Sequence, residues 1–225
     1  MTYGPALKSL ANALEDARKI KNSHLTAAAH FNLGNCYFHQ ESYREASDHM
    51  ESALSIFEQE SSSYIPKVLY NLMYVRLKQG NHSGAAACYE KGIRSAASLG
   101  DEEHAAKLNI LYGLYLDGGD RKAVENGFDY LESNHLYAAV EELALDAAQY
   151  YNQIERLEDS IFTTKSALRQ DEKSKGEMRC MKAKLLFVVV SLAVVLTSSS
   201  FLADAGKAPS LYADKMITTD KEARV

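Results

Sequence analysis

The sequence contains no tryptophan and has only three prolines and three cysteines among its 225 residues. Because proline is what most often interrupts a helix, long uninterrupted helices can form. The cysteines, Cys36, Cys88 and Cys180, are odd in number and lie far apart. That distribution favours a reducing compartment over a disulfide framework. We therefore expect a cytoplasmic protein.

An excess of positive charge is also missing. The formal net charge is −5 at pH 7, and residues 1–180 carry 19 Lys and Arg against 26 Asp and Glu. Nucleic-acid binding needs a concentrated basic face, so this composition argues against nucleic acid as a partner. It favours proteins or peptides as partners.

The motifs of cofactor and hydrolase sites are absent as well. We find no G-x-G-x-x-G, no P-loop and no G-x-S-x-G, and the seven histidines have no HExxH or CxxC companion. Nucleotide binding, serine-hydrolase chemistry and metal binding thus lack support. The sequence predicts no cofactor and no metal.

What the sequence does contain is a repeat of about forty residues. A small or apolar residue recurs at spacings of 40, 39, 39 and 36 residues, and two further positions follow it four and seven residues later. Small residues let two helices approach closely, and larger ones fill the groove beside them. The three positions are Ala6, Ala46, Ala85, Val124 and Ser160; Leu10, Met50, Tyr89, Phe128 and Thr164; and Ala13, Ala53, Gly92, Leu131 and Ala167.

Glycine-containing corners, "QGN" and "GGD", separate the helices of this repeat and indicate stacked helical hairpins. The pattern resembles the tetratricopeptide repeat, because Leu33, Gly34, Tyr37, Ala46 and Ala53 match its signature, although the period exceeds the usual ~34 residues. We predict an all-α solenoid of helical hairpins, with another α-solenoid as the alternative.

The repeat register also predicts that the chain starts in the middle of a unit. Residues 3–20 match the second helix of a repeat, with no first helix before them. We expect Leu7, Leu10 and Leu14 to be partly uncovered, which would make this end marginally stable or suited to a partner. On this interpretation the chain is the C-terminal part of a longer architecture.

Two stretches carry a resemblance to a known family. "AAAHFNLGNCYF" near residue 30 and "LESNHLYAAVEELALDAAQYY" from Leu131 resemble the C-terminal repeats of the Rap family of response-regulator aspartate phosphatases. The resemblance covers about residues 1–179. It implies a tetratricopeptide-like module that binds a short secreted peptide, called Phr.

The same resemblance implies an N-terminal three-helix bundle that engages the response regulator and carries the catalytic glutamine. No such bundle is present in this sequence, and Gln40 and Gln59 lie within repeats. We therefore expect no catalytic residue and no phosphatase activity from this polypeptide alone. A response regulator would be a partner only if the bundle were supplied.

Each first helix is expected to present polar residues to the concave face of the solenoid. Carboxamides can donate to and accept from a peptide backbone, and an acidic residue such as Asp146, Glu142 or Asp117 would select a basic side chain. Solvated solenoid surface is the alternative for each. Besides Gly113, the candidate peptide-binding residues are Phe31, Asn32, Asn35, Tyr70, Asn71, Tyr74, Asn109, Asp146, Gln149 and Asn152.

Residues 181–205 have the form of a signal peptide. Lys182 and Lys184 are a basic start, 185–196 is an apolar core interrupted by one serine, and Ala203-Asp204-Ala205 is a small-x-small cleavage site. A Phr precursor joined in frame to a truncated Rap would explain this position. The alternatives are a hydrophobic helix that packs on the solenoid or contacts membrane through 185–202.

Residues 206–225 are expected to be a flexible tail. Phr signals resemble pentapeptides with a basic second residue, and the segment of that form is Asp214, Lys215, Met216, Ile217 and Thr218. A tail without a signal is the alternative. The predicted function is thus a peptide-binding module; the alternative is a membrane-tethered scaffold for protein–protein interaction.

Overall fold

The computed structural model describes residues 3–154, 159–160 and 163–164. Within this part of the chain there are eight long α-helices and no strand, so the predicted all-α fold is confirmed. The helices are α1 (Gly4–Lys19), α2 (Ser23–His39), α3 (Tyr43–Gln59), α4 (Ile65–Lys78), α5 (His82–Leu99), α6 (Glu102–Tyr115), α7 (Arg121–Ser133) and α8 (Tyr137–Gln153).

The helices pack as a row of hairpins. The pairs α2 with α3, α4 with α5, and α6 with α7 make the broadest contacts, and each hairpin packs on the next. In addition, α4 contacts both α2 and α6, and α6 contacts α8. The even-numbered helices therefore lie side by side and form one continuous surface.

Local signals in the sequence set the helix ends. Asn22, Asn81, Asp101 and Asp120 each accept a hydrogen bond from a backbone N–H in the first turn of the helix that follows. At the corners the chain takes a left-handed residue, which is glycine at Gly80 and Gly100. Four corners use another residue type there: Lys21, Glu41, Ser61 and His135.

The small residues of the repeat lie where helices meet most closely. Ala46, Ala53 and Ala85 are fully buried. A Cβ atom at Gly92 would lie 2.7 Å from the Cδ1 atom of Leu108, and one at Gly127 would overlap the side chain of Ile110. Backbone contact at these positions explains why the repeat keeps small residues in register.

Helix α1 is covered on one side by α2. Leu7 and Leu10 are half-buried, as expected, but Leu14 is only 8% exposed because it packs with Ala29 and Leu33. The expectation that Leu14 is uncovered was therefore wrong. Ala6 and Ala13 are exposed, in contrast to the buried residues at the equivalent positions of later repeats.

No helix among the described residues is both long and apolar enough to span a membrane. The signal-like segment 181–205 and the candidate peptide 214–218 lie outside the described residues.

A polar and aromatic trough on the even-numbered helices

Three neighbouring helices present side chains in rows along one face, spaced four residues apart on α4 and α8 and eight residues apart on α6. Positions four apart lie on one face of a helix, so each set forms a stripe along its axis. Because α4, α6 and α8 are adjacent, the stripes meet and form one surface, which we call the trough. Its residues are Tyr70, Tyr74 and Lys78 on α4; Lys107 and Tyr115 on α6; and Glu142, Asp146 and Tyr150 on α8.

Asp146 lies at the centre of the trough. Its Oδ1 atom is 2.8 Å from the Nζ atom of Lys78, and its Oδ2 atom accepts a hydrogen bond from the hydroxyl of Tyr115. Asp146 is only 8% exposed. These two contacts connect α4 and α6 to α8, and they join Asp146 to residues 68 and 31 positions earlier in the sequence.

Aromatic rings complete the surroundings of the Lys78 ammonium group. Its Nζ atom lies 5.0 Å from the ring centroid of Tyr74 and 5.8 Å from that of Tyr115. Tyr150 packs edge-on against Tyr115, with 4.8 Å between the ring centroids. A carboxylate and two ring faces around one cation form a cage with the chemistry of a cation-binding site.

A second group of charges lies one turn away. Lys107 forms an ion pair with Glu103, and its Nζ atom lies 5.8 Å from the ring centroid of Tyr70. Glu142 is exposed at the edge of the trough, and partial desolvation by its neighbours raises its pKa; the charge of Asp146 raises the pKa further, against the opposing charges of Lys107 and His39. A cation from outside would lower the electrostatic cost of ionising Glu142.

Three tyrosines of the trough, Tyr70, Tyr74 and Tyr115, stay protonated at neutral pH because their pKa is raised. Burial raises the pKa of Tyr70, Tyr74 and Tyr115, and nearby carboxylates raise it further, Glu142 chiefly for Tyr70 and Asp146 for the other two. Their hydroxyl groups are therefore hydrogen-bond donors, as Tyr115 is toward Asp146. The trough can bind cations and peptide carbonyl groups.

The predicted residues on α2 and α4 lie in different surroundings. Phe31 is buried in a core cluster with Ala27 and Phe57. Asn32 is exposed and Asn35 is half-buried. The amide of Asn71 donates to the carbonyl of Lys67 in its own helix at 2.9 Å, whereas Tyr70 and Tyr74 line the trough.

On α6 the predicted positions face other helices. Asn109 accepts a hydrogen bond from the Tyr89 hydroxyl at 2.9 Å and lines a cleft of about 310 Å³ between α6 and α7. Gly113 packs on α7, where a Cβ atom would lie 3.1 Å from that of Ala123. Asp117 is exposed beyond the end of α6.

On α8, Gln149 is exposed and Asn152 is half-buried, while Asp146 is central. The structure thus brings together Tyr70, Tyr74 and Asp146, and it does not form a continuous ladder of asparagines.

Sequence reasoning missed Lys78, Lys107, Tyr115 and Tyr150. The sequence does contain a pattern that could have identified some of them. Residues recur every four positions at 70, 74 and 78 on α4 and at 142, 146 and 150 on α8. The repeat register places the candidates on α6 at Asn109 and Gly113, two residues away from Lys107 and Tyr115. That Lys107 contacts α4 and Tyr115 contacts α8 is visible only once the packing of α6 on both neighbours is known.

Comparisons with known proteins agree with this architecture. Residues 3–59 match the family described as "Tetratricopeptide repeat". "Response regulator aspartate phosphatase J" of Bacillus subtilis (strain 168) is 34% identical over 157 residues, which are 70% of this chain and 42% of that protein. The chain thus spans less than half the length of this relative.

Two solved structures are also similar. The apo form of RapI shares 34% identity at a TM-score of 0.73, over 77% of this chain and 63% of that one. A Rap protein complexed with Competence and Sporulation Factor shares 31% identity at a TM-score of 0.71, over 83% of this chain and 49% of that one. The chain is therefore a Rap-like tetratricopeptide-repeat protein.

Proposed function

We propose that this Rap-like repeat module binds a short, extended peptide in the trough and recognises a basic side chain of that peptide through Asp146. The observation that carries the proposal is the cage around Asp146, which already holds an ammonium group between a carboxylate and two tyrosine rings. Support comes from the similar Rap protein, whose solved structure contains Competence and Sporulation Factor.

The remaining trough residues would hold the peptide around this anchor. The half-buried Tyr150 offers its ring to apolar side chains, and Glu142 adds negative charge one turn from Asp146. Tyr70 and Tyr74 are buried, and the ammonium groups of Lys107 and Lys78 lie over their rings. Carboxamides beside the trough would hydrogen-bond the peptide backbone. We assign this part to Asn32, Asn35, Asn71, Gln149 and Asn152.

We do not extend the proposal to phosphatase activity. The part of phosphatase J that aligns with this chain is 42% of that protein. A response regulator is proposed as a partner only together with a further domain. Such a module would function in the cytoplasm.

The proposed ligand has the form of residues 214–218, Asp-Lys-Met-Ile-Thr, whose second residue is basic. A pentapeptide in extended conformation is about 17 Å long. That length is enough to cross three helices packed about 8–10 Å apart, as in ordinary helix packing. The segment belongs to this chain, so a released copy or the tail itself would present the same side chains.

Calorimetric titration of the synthetic peptide Asp-Lys-Met-Ile-Thr tests the proposal. The full chain would carry Lys215→Gln, so that its own tail does not compete. We expect binding to weaken by at least about tenfold for Asp146→Asn, since a charge-assisted contact is lost. Replacing the peptide lysine by glutamine should have a similar effect.

Asp129→Asn is the matched control, because Asp129 is exposed on α7 and lies outside the trough. Equal affinity of Asp146→Asn and the unaltered protein for the lysine peptide would refute the assignment of Asp146. An absence of binding to every variant would remove this peptide as the ligand.

A further inference from the structure

We infer that Lys78 is a built-in competitor, an internal cation that occupies the Asp146 site and must be displaced before a basic ligand side chain can bind. This inference rests on the proposed function and adds a regulatory contact to it. In the ligand-free chain the carboxylate is already paired, with 2.8 Å between Lys78 Nζ and Asp146 Oδ1.

The cage has room for one cation at the carboxylate. Asp146 is nearly buried, its Oδ2 atom is taken by the Tyr115 hydroxyl, and its Oδ1 atom faces Lys78. A second ammonium or guanidinium group at Oδ1 would lie within van der Waals distance of the first, and like charges at that distance repel. An incoming cation and Lys78 therefore exclude each other.

Lys78 is placed so that it can leave. It is the last residue of α4, directly before the corner at Gly80, and its side chain is 32% exposed. A lysine has four rotatable side-chain bonds and is strongly hydrated, so its ammonium group can move into water without a backbone change. Asp146, on the third turn of α8 and packed on both sides, cannot move in the same way.

Lys107 shows the contrasting case within the same trough. It lies over the ring of Tyr70 as Lys78 lies over Tyr74, but its ion pair is with Glu103, one turn earlier on its own helix. The Lys107 pair thus leaves Asp146 untouched. The two lysines carry equal charge and differ in which carboxylate they occupy.

The Lys78–Asp146 contact would make the site selective for ligands with a basic side chain. Only a side chain that replaces the lost interaction of Lys78 gains the full affinity of the site, so a neutral side chain leaves Lys78 in place. The apparent dissociation constant of a basic peptide is raised by the fraction of protein in which Lys78 occupies the site. Removing Lys78 should strengthen basic peptides selectively.

The test compares Lys78→Gln with Lys122→Gln, both in the full chain carrying Lys215→Gln. Lys122 is exposed on α7 and lies outside the trough, so its variant removes an equal charge elsewhere. Calorimetry would measure the affinity of Asp-Lys-Met-Ile-Thr and of the variant peptide Asp-Gln-Met-Ile-Thr. We expect Lys78→Gln to tighten binding of the lysine peptide by about tenfold. The glutamine peptide should bind both variants equally, and Lys122→Gln should change the lysine peptide's affinity by less than about threefold, since salt screens an exposed charge outside the site.

The outcomes separate this inference from the proposed function. Binding of the lysine peptide to the starting protein, with the same or weaker affinity for Lys78→Gln, would overturn the competitor role while leaving peptide binding in place. A similar gain for both lysine variants would also overturn it, because the effect would then be general charge. If no variant binds either peptide, the competitor role is overturned together with this ligand.

Circular dichroism melting checks that Lys78→Gln folds. Should this variant not fold, Lys78→Arg tests the same inference, with the expected change in peptide affinity reversed. Arginine holds a carboxylate through two parallel hydrogen bonds, so it should compete more strongly and weaken the lysine peptide. Tighter binding to Lys78→Arg would contradict the inference.

Discussion

His30 and His49 are two neutral imidazoles held together beneath α1. Their Nδ1 atoms are 2.9 Å apart, and the guanidinium of Arg18 is 3.2 Å from the Nε2 atom of His30. Burial, aided by His49 and Arg18, lowers the pKa of His30 from 6.5 to about 4. Burial also lowers the pKa of His49. Protonating either ring places positive charges against each other.

The first prediction is a loss of stability in mild acid. The unfolded chain binds protons at these residues below pH 6.5, whereas folded His30 does so only near pH 4. The free energy of unfolding should therefore fall as the pH drops from 6.5 toward 4, and His30→Gln should flatten this fall by about 1 kcal/mol after allowance for solvent screening. Urea unfolding at pH 7 and pH 5 measures it.

The exposed His82, at the start of α5, supplies the control variant His82→Gln. An equal pH dependence of unfolding in His30→Gln and in the unaltered protein would show that the imidazole pair does not carry the effect.

Arg76 is a second residue whose contacts cross helices. Its guanidinium group donates to the Gly84 carbonyl at 2.9 Å and to the Cys88 sulfur at 3.1 Å, and it pairs with Glu51 at 2.9 Å. One side chain on α4 thus connects α3 with α5. We expect Arg76→Ala to destabilise by about 1–3 kcal/mol, because it removes the part-buried hydrogen bonds to Gly84 and Cys88 together with the ion pair to Glu51.

Arg94→Ala is the comparison for Arg76→Ala, since Arg94 pairs at 3.9 Å with Glu90 of its own helix and both side chains are largely exposed. Its expected cost is below about 0.5 kcal/mol. Denaturant midpoints of the two variants check the contrast, and similar losses would contradict the cross-helix role of Arg76.

The sequence allowed only part of the arrangement of the trough to be predicted. Tyr70, Tyr74 and Asp146, which the structure brings together, were predicted from their positions in the repeat. The contact of Asp146 with Lys78 was not predicted, because Lys78 lies four helices and 68 residues earlier in the chain. That contact depends on the curvature of the stack, which small differences in helix packing determine.

At the scale of helices, glycine at a packed position is required even though glycine weakens a helix. A Cβ atom at Gly127 would overlap Ile110 and lie 3.1 Å from the Ala106 carbonyl oxygen. Replacing glycine by alanine ordinarily stabilises a helix by up to about 1 kcal/mol. For Gly127→Ala we expect a loss of about 1–3 kcal/mol instead, because overpacking prevails.

Gly4→Ala is the matched change, since no atom lies within 4 Å of a Cβ atom built there. It should be neutral or slightly stabilising in thermal melts. A stabilising Gly127→Ala would mean that α6 and α7 can separate without cost, against the close packing described above.

The corners between helices could be predicted from the sequence only where they contain glycine. The glycine corners "QGN" and "GGD" were evident in the sequence, and Gly80 and Gly118 do have positive φ, as does Gly100 at a third corner. Lys21, Glu41, Ser61 and His135 take the same conformation with no glycine to mark it. At these corners the hydrophobic register of the flanking helices determines the turn, and the left-handed strain of each residue is tolerated.

A prediction follows for these corners. Ser61→Gly removes the left-handed strain of a non-glycine residue and should stabilise the protein by about 0.5–1 kcal/mol, net of the greater freedom of glycine in the unfolded chain. Thermal melting measures this gain. Ser63→Gly, two residues later and also exposed, is the control, and an equal gain there would count against the explanation.

On the scale of the whole molecule, the solenoid places the even-numbered helices on one continuous surface and the trough on three of them. The repeat period was enough to predict the stacking, because each hairpin buries its small residues against its neighbours. The trough itself is a property of the assembled stack. Its charges, its four tyrosines and the Lys78–Asp146 pair come from separate repeats.

Photo-crosslinking tests most directly whether a peptide lies in this trough. A copy of Asp-Lys-Met-Ile-Thr with a benzophenone amino acid in place of methionine would be irradiated with the Lys215→Gln chain, and mass spectrometry would locate the attachment. The account predicts crosslinks on α4, α6 and α8 that an excess of unlabelled peptide removes. Competed crosslinks confined to α3, α5 or α7 would contradict it.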